Sequence, residues 1–308
     1  MTRLVHSQGG FIRSLQMSSA KLFAFVEGRL DRSFFDRLIP RALPSGSIRH
    51  QVIAMKELPA GTGGKTALLA TFRDFRKRGF LRMTAFGKNM VCVFFADKDS
   101  DDFCRKQLRS PHLLYTSTYD LEAHLYTCAD LHRALADSCG ITLSQAQALI
   151  PDPRSWLLQS AEAWRDWVAL CLLSQLRGVN CGCTFDRVSQ VNPDPFAPPD
   201  ANQVAHFKSL LAQQIGLSAM DTEKLFARAV RRVDASIASG DPLRYFKGKW
   251  LSHLVQRYLE VKPRPPDANI NGVGDRLCST LVAQVAQSPH CQCCSPYVAK
   301  LNAITKTL

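Results

Sequence analysis

No apolar run among these 308 residues is long enough to cross a bilayer, and the first twenty, MTRLVHSQGGFIRSLQMSSA, lack the continuous apolar stretch of a secretion signal. A cytoplasmic protein with no membrane partner is expected. No internal repeat is visible, which argues against a solenoid or propeller. The chain has no two C-x₂-C units of the kind that hold structural zinc. Its cysteine-rich segments read as C-x-C pairs, one in CGC (Cys181 to Cys183) and one in HCQCC (His290 to Cys294), so structural Zn²⁺ is not expected, a zinc site shared by the two segments being the alternative. The 11 cysteines are odd in number and scattered, as suits small buried apolar residues in a reducing compartment. A nucleotide-binding P-loop is missing too. GTGGKT (Gly61 to Thr66) carries Pro59 where the first glycine of G-x-x-x-x-G-K-[ST] belongs. Acidic side chains are scarce, 26 against 39 basic ones, for a net charge of +13. That imbalance suits a polyanionic partner, nucleic acid before a membrane surface, because no long basic amphipathic helix with an aromatic face is present. Hydrophobic residues make up 46%, enough for a full core.

Along the chain, residues 1–18 read as a loosely held tail. Strand and helix then alternate. Strands are predicted at Leu22 to Val26, His50 to Met55, Met90 to Ala96 and His112 to Thr116. Helices are predicted from Asp31 to Leu43, ended or bent by Pro40, from Thr66 to Lys77, and around Cys104 to Leu108, with a further helix starting in TYDLEAHLY. This order argues for an α/β fold, a mostly parallel sheet with helices on both faces. After Cys128 the period is helical, near 129–138, 144–150, 154–177, 203–215, 219–238, 249–260, 274–287 and 295–304. Two proline-rich breaks, NPDPFAPPD (Asn192 to Asp200) and KPRPPD (Lys262 to Asp267), read as loops. The expected organisation is a tail (1–18), an α/β domain (19–128) and an α-helical domain (129–308). Trp156, Trp164 and Trp167 fall near helical spacing and read as packing residues, with base stacking the alternative.

The acidic residues that do occur are unevenly placed. VCVFFADKDSDDF (Val91 to Phe103) is an apolar strand that ends on Asp97 and Asp99. KLFAFVEG (Lys21 to Gly28) ends likewise on Glu27, with Asp31 one helical turn later. Mg²⁺ takes hard oxygen ligands, and alternate residues of a strand end point the same way, so Asp97 and Asp99 can face one ion while Lys98 points elsewhere. A lone D-x-D is as readily a solvated acidic loop, with Asp31 as a helix cap. Two apolar strands that deliver carboxylates to one edge favour a metal site. Basic residues cluster in FRDFRKRGFLR (Phe72 to Arg82) and ARAVRRV (Ala227 to Val233); Lys65, Arg76, Lys77 and Arg78 are candidates for holding substrate phosphate. Lys247 and Lys249 in FKGK are candidates for neutralising charge on a reacting phosphate.

On FVEGRLD (Phe25 to Asp31) and FFADKDSDD (Phe94 to Asp102), roughly the first 125 residues resemble a TOPRIM domain, the metal-binding module of topoisomerases, DnaG-type primases and OLD-family nucleases. YDLEAHL (Tyr119 to Leu125) and YFKGKWLSHLVQRYL (Tyr245 to Leu259) narrow the resemblance to the small OLD-related TOPRIM-like effectors of the PARIS type, encoded beside an ABC-type ATPase in bacterial anti-phage operons. The resemblance implies a Mg²⁺-dependent nuclease, with Mn²⁺ as a substitute. Glu27 would be acid/base or metal ligand, Asp97 and Asp99 would hold the metal, Asp31 a second ion, and Glu122 would be an outer ligand. It also implies RNA, particularly tRNA, as substrate, a homodimeric active form and control by the ATPase partner. The residues themselves do not select RNA over DNA. A non-catalytic nucleic-acid-binding or docking module stands as the alternative.

Overall fold

The computed structural model describes all residues except 1–7, 44–47, 59–62, 187–190, 193, 195, 264, 267, 288–292 and 307. Pro59 to Thr62 of the glycine-rich loop and His290 to Gln292 of the second cysteine segment therefore lie outside the described residues. The chain is an α/β protein with a mixed, mostly parallel sheet and many helices. It forms two compact units.

The first unit contains residues 1–97, 108–116 and 282–308. Its strands are β1 (Leu22–Val26), β2 (His50–Ala54), β3 (Arg82–Ala85), β4 (Lys88–Ala96) and β5 (Leu113–Tyr115). The order is β2-β1-β4-β3, and β5 also pairs with β4. β1 is parallel to β2 and β4, and β5 is parallel to β4; β3 alone runs antiparallel. The helices are α1 (Gln8–Met17), α2 (Arg29–Ala42), α3 (Lys65–Lys77) and, later in the chain, α14 (Ser295–Thr305). β1 is buried along its whole length, so its residues feed both faces of the sheet. On one face Phe23, Phe25, Cys92 and Phe94 meet Leu68, Phe72 and Phe75 of α3 and Ile12 and Leu15 of α1. Phe25 stacks on Phe94 at 4.7 Å between ring centroids. On the other face Phe35 of α2 stacks on Phe95 at 3.8 Å, and Tyr297 of α14 meets Phe35 edge-on at 5.7 Å. Such pairs add about 0.5–1.5 kcal/mol each beyond the area they bury.

Residues 8–17 are therefore not a loose tail. Ile12 and Leu15 cover apolar sheet that would otherwise face water. Nor does the first unit end at 128, because α14 returns to α2. Pro40 sits within the last turn of α2 without breaking it before Ala42. β3 is a strand the sequence does not predict. It turns into β4 through Phe86 and Gly87, both at positive φ (52° and 69°), the signature of a two-residue hairpin.

The second unit contains residues 98–107 and 117–281 and is helical. It holds α4 (Asp101–Cys104), α5 (Leu121–Cys128), α6 (Leu131–Cys139), α7 (Leu143–Leu149), α8 (Pro153–Ala163), α9 (Arg165–Arg177), α10 (Ala201–Ile215), α11 (Ala219–Ala238), α12 (Gly248–Val261) and most of α13 (Val273–Gln287). Asp130, Thr142, Asp152, Asp200 and Ser218 each accept a backbone N–H at a helix start. Gly140, Gly178 and Gly216 end helices in the left-handed region. Two expectations shift. The segment predicted as one helix over 154–177 is two, joined at Trp164, and the short helix predicted around Cys104 to Leu108 lies instead at Asp101–Cys104. Among the described residues no helix is long and apolar enough to cross a membrane.

Candidate functional site

In the first unit the parallel register sets Val26 opposite Phe95. The two strands leave the sheet side by side, one at Glu27 and the other at Asp97. The Asp97 N–H donates to Glu27 Oε1 at 2.8 Å, so the two acidic residues of adjacent strands are in direct contact at the carboxyl edge. That edge is where open α/β sheets place ligands, because the loops diverge there. Both residues are half-buried. Asp31 lies in the first turn of α2 and turns back: its Oδ2 accepts the Gly28 N–H at 2.9 Å. A side chain at residue 28 would put its Cβ 3.2 Å from that oxygen, so the glycine of FVEGRLD leaves room for the carboxylate. Asp31 thus caps α2 while standing four residues from Glu27.

Lys65 opens α3, which follows β2 from the same edge, and its Nζ lies 5.7 Å from the centre of the Tyr115 ring at the end of β5. Arg76, Lys77 and Arg78 sit at the opposite end of α3, about 20 Å away at 1.5 Å per residue. Arg78 is paired with Asp74 at 2.8 Å. Arg82, the last of that basic run, faces Val91, six residues back along β4 from Asp97. Arg76, Lys77 and Arg78, candidates for holding substrate phosphate, therefore stand apart from the carboxylates. The helix that carries them runs away from the edge where Glu27 and Asp97 emerge.

The second unit gathers the other predicted residues. The Asp99 N–H donates to the Tyr119 carbonyl at 2.6 Å, and Asp99 itself is at positive φ, 48°. The residue after Tyr119, Asp120, is the hub. Its Oδ1 accepts the Ala123 N–H at 2.8 Å, capping α5, and its two carboxylate oxygens each lie 3.0 Å from the Gly248 N at the start of α12. One buried carboxylate therefore caps two helices. Burial pushes the Asp120 pKa well up; the neighbouring Glu122 and Asp99 push the same way, and the Ala123 N–H pulls it down. This shared cap sets the second residues of the two helices together, and Lys249 Nζ lies 3.9 Å from Glu122 Oε1. Glu122 is largely buried and Lys249 exposed.

Lys247 is placed differently from Lys249. It pairs with Asp186, and its Nζ also reaches the Phe185 carbonyl at 3.4 Å, an acceptor shared with Trp250 Nε1 at 3.0 Å. It anchors the start of α12. Lys98 donates to the Ser117 carbonyl; burial lowers its pKa, and Asp241 and Asp102 partly restore it. Asp102 pairs with Arg244 at 2.7 Å, while Arg232 donates to the Asp102 and Phe103 carbonyls and lies over the Phe103 ring. The DSDDF stretch is thereby held by α11 and by the segment before α12. Asp120 is the residue that motif reading overlooks. Its one signal is an aspartate just before a helical run, the ordinary mark of a helix start. No family model and no curated protein matches the chain.

Proposed function

We propose that this chain is a Mg²⁺-dependent TOPRIM-like nuclease that cuts phosphodiester bonds in RNA, tRNA above all. In this reading it is a toxic anti-phage effector, homodimeric when active and restrained by an ABC-type ATPase partner. The observation that carries the nuclease reading is the contact between Glu27 and Asp97 at the carboxyl edge of two adjacent parallel strands. Their carboxylates, with Asp31 one turn on, are hard oxygen donors of the kind Mg²⁺ takes, and Mn²⁺ accepts the same set. The resemblance assigns Asp99, the other acid of the D-x-D, to the metal as well. A bound divalent cation supplies Lewis-acid polarisation of a phosphate oxygen and acidifies a bound water. The Asp97 N–H fixes the Glu27 carboxylate, which holds or accepts a proton at its oxygen without having to reorient. Lys249 brings positive charge beside Glu122, and Lys65 brings it to the carboxyl edge; both suit a phosphate.

The test is direct. Wild type and Glu27→Gln are incubated with total RNA, purified tRNA and plasmid DNA, in Mg²⁺ and in EDTA. Discrete RNA fragments from wild type in Mg²⁺ alone are expected, and none from the variant. A second reading, a nucleic-acid-binding or docking module without catalysis, draws on the capping role of Asp31 and the ion pair of Lys247. It is favoured if Glu27→Gln retains full protective or toxic activity in cells. Cleavage of plasmid in place of RNA would keep the nuclease and change the substrate.

A further inference from the structure

A cavity of about 240 Å³ opens in the second unit between α8 and α12, and nothing in the proposed chemistry uses it. Half-exposed aromatic rings line it, Tyr258 from α12 and Phe196 from the proline-rich loop, beside the buried Trp156 and Trp164 on the α8 side and the aliphatic Leu254 and Val261 of α12. Gln159, Ser160 and Arg257 supply its polar groups, the Ser160 hydroxyl donating to the Trp156 carbonyl at 2.8 Å. Described residues on both sides of Phe196 are bonded. Asn192 Nδ2 donates to the Pro198 carbonyl at 2.8 Å, Asn192 Oδ1 accepts the Asp194 N–H at 2.9 Å, and Asp194 pairs with Arg257. Phe196 itself is at φ +63°, a conformation a bulky residue rarely adopts, and its ring stacks on His253 at 4.5 Å with 16° between planes. Strain of this kind, over-determined by surrounding bonds, collects at ligand clamps. Lys262 lies 5.2 Å from the centre of the Tyr258 ring, so a second cation stands beside the aromatic wall.

We infer that this cavity is a nucleobase pocket, taking one unstacked base of single-stranded nucleic acid while Arg257 and Lys262 meet the flanking phosphates. Flat aromatic faces recognise any base by stacking, an amide such as Gln159 can bond a base edge, and paired cations at the rim suit a polyanion. An apolar side chain of a partner protein would use the walls alone and make no use of Lys262 at the rim. The inference rests on the proposed action on nucleic acid, and its test reads binding in EDTA, so it is independent of cleavage.

A short single-stranded RNA carrying 2-aminopurine at its centre is titrated into the full chain, beside the same RNA with an abasic site at that position. Wild type is expected to quench the fluorescent base and to bind the intact RNA more tightly than the abasic one. Tyr258→Leu and Phe196→Leu should each weaken intact RNA by about tenfold and abolish that preference, with the salt dependence unchanged. Lys262→Gln should reduce the slope of log affinity against log salt by about one. Thermal melts confirm that each variant is folded, and the two aromatic positions serve as independent tests. Equal binding of intact and abasic RNA by wild type and by the folded variants overturns the pocket, and leaves a protein side chain as its occupant. Absence of cleavage in Mg²⁺, with base-dependent binding intact, overturns the nuclease reading instead.

Discussion

At the scale of single residues, Asp120 and Gly248 explain most about the second unit. A Cβ built at residue 248 would lie 2.0 Å from the Ala123 nitrogen and 2.3 Å from Asp120 Oδ1, contacts no flexible side chain can relieve. Gly248→Ala is therefore expected to cost about 3 kcal/mol or more, read by denaturant unfolding. Asp120→Ala removes two helix caps and should cost about 2–4 kcal/mol in the same measurement. His124, one turn into α5, is buried and its pKa is pulled down to about 4 by that burial. Unfolded, it titrates near 6.5, so between those values the unfolded chain binds a proton that the folded chain does not. The stabilising term is complete above about pH 6.5 and is lost as pH falls towards 4, on the order of 3 kcal/mol across the window. Asp120, with its raised pKa, acts in the opposite sense: its penalty on folding eases as pH falls. The difference in stability between wild type and His124→Asn, followed from pH 7 to 5, isolates the histidine and should shrink over that range. Glu27 and Asp97 were legible as candidates because an apolar strand visibly ends on each. Asp120 was not, because half of its role depends on a glycine brought to it from 128 residues away.

At the scale of elements, most helices of the second unit were legible because their capping residues are ordinary ones. Aspartate, serine or threonine stands at the starts, and glycine follows several of the ends. The break at Trp164 was hidden because tryptophan carries no such mark and both flanking runs are apolar at helical spacing. β3 was hidden for a related reason. Its turn, Phe86-Gly87, has the positive φ values of a tight hairpin, but a phenylalanine where asparagine or aspartate would announce it. Phe86 is 80% exposed, so its side chain contributes little packing to offset the unfavourable backbone. Phe86→Asn should raise stability by about 0.5–1 kcal/mol, seen as a higher melting temperature. α1 makes the opposite point. Leu15 is 2% exposed in the sheet core, and Leu15→Ala should cost about 2–4 kcal/mol, a loss that a loose tail would not show.

At the scale of the whole molecule, the alternation of strand and helix gave the α/β class, and the apolar strand ends gave the edge at which Glu27 and Asp97 meet. The division into units was not legible. A sheet has two faces to cover, and the sequence does not say which distant helix will cover them. Tyr297 of α14 packs against Phe35 and Phe95, so one face of the first unit is finished by residues far along the chain. The proposed activity makes its own prediction here: Asp97→Asn should abolish Mg²⁺-dependent cleavage at least a hundredfold, about 2.7 kcal/mol of barrier, with the melting curve little changed. The late arrival of α14 also bears on synthesis. On the ribosome, β1, α2 and β4 emerge early and Phe35 can stack on Phe95, but the cover of that aromatic patch is not finished until Tyr297 has been added. A nascent chain halted before that residue would carry both acidic strand ends on a sheet with one face still incompletely covered.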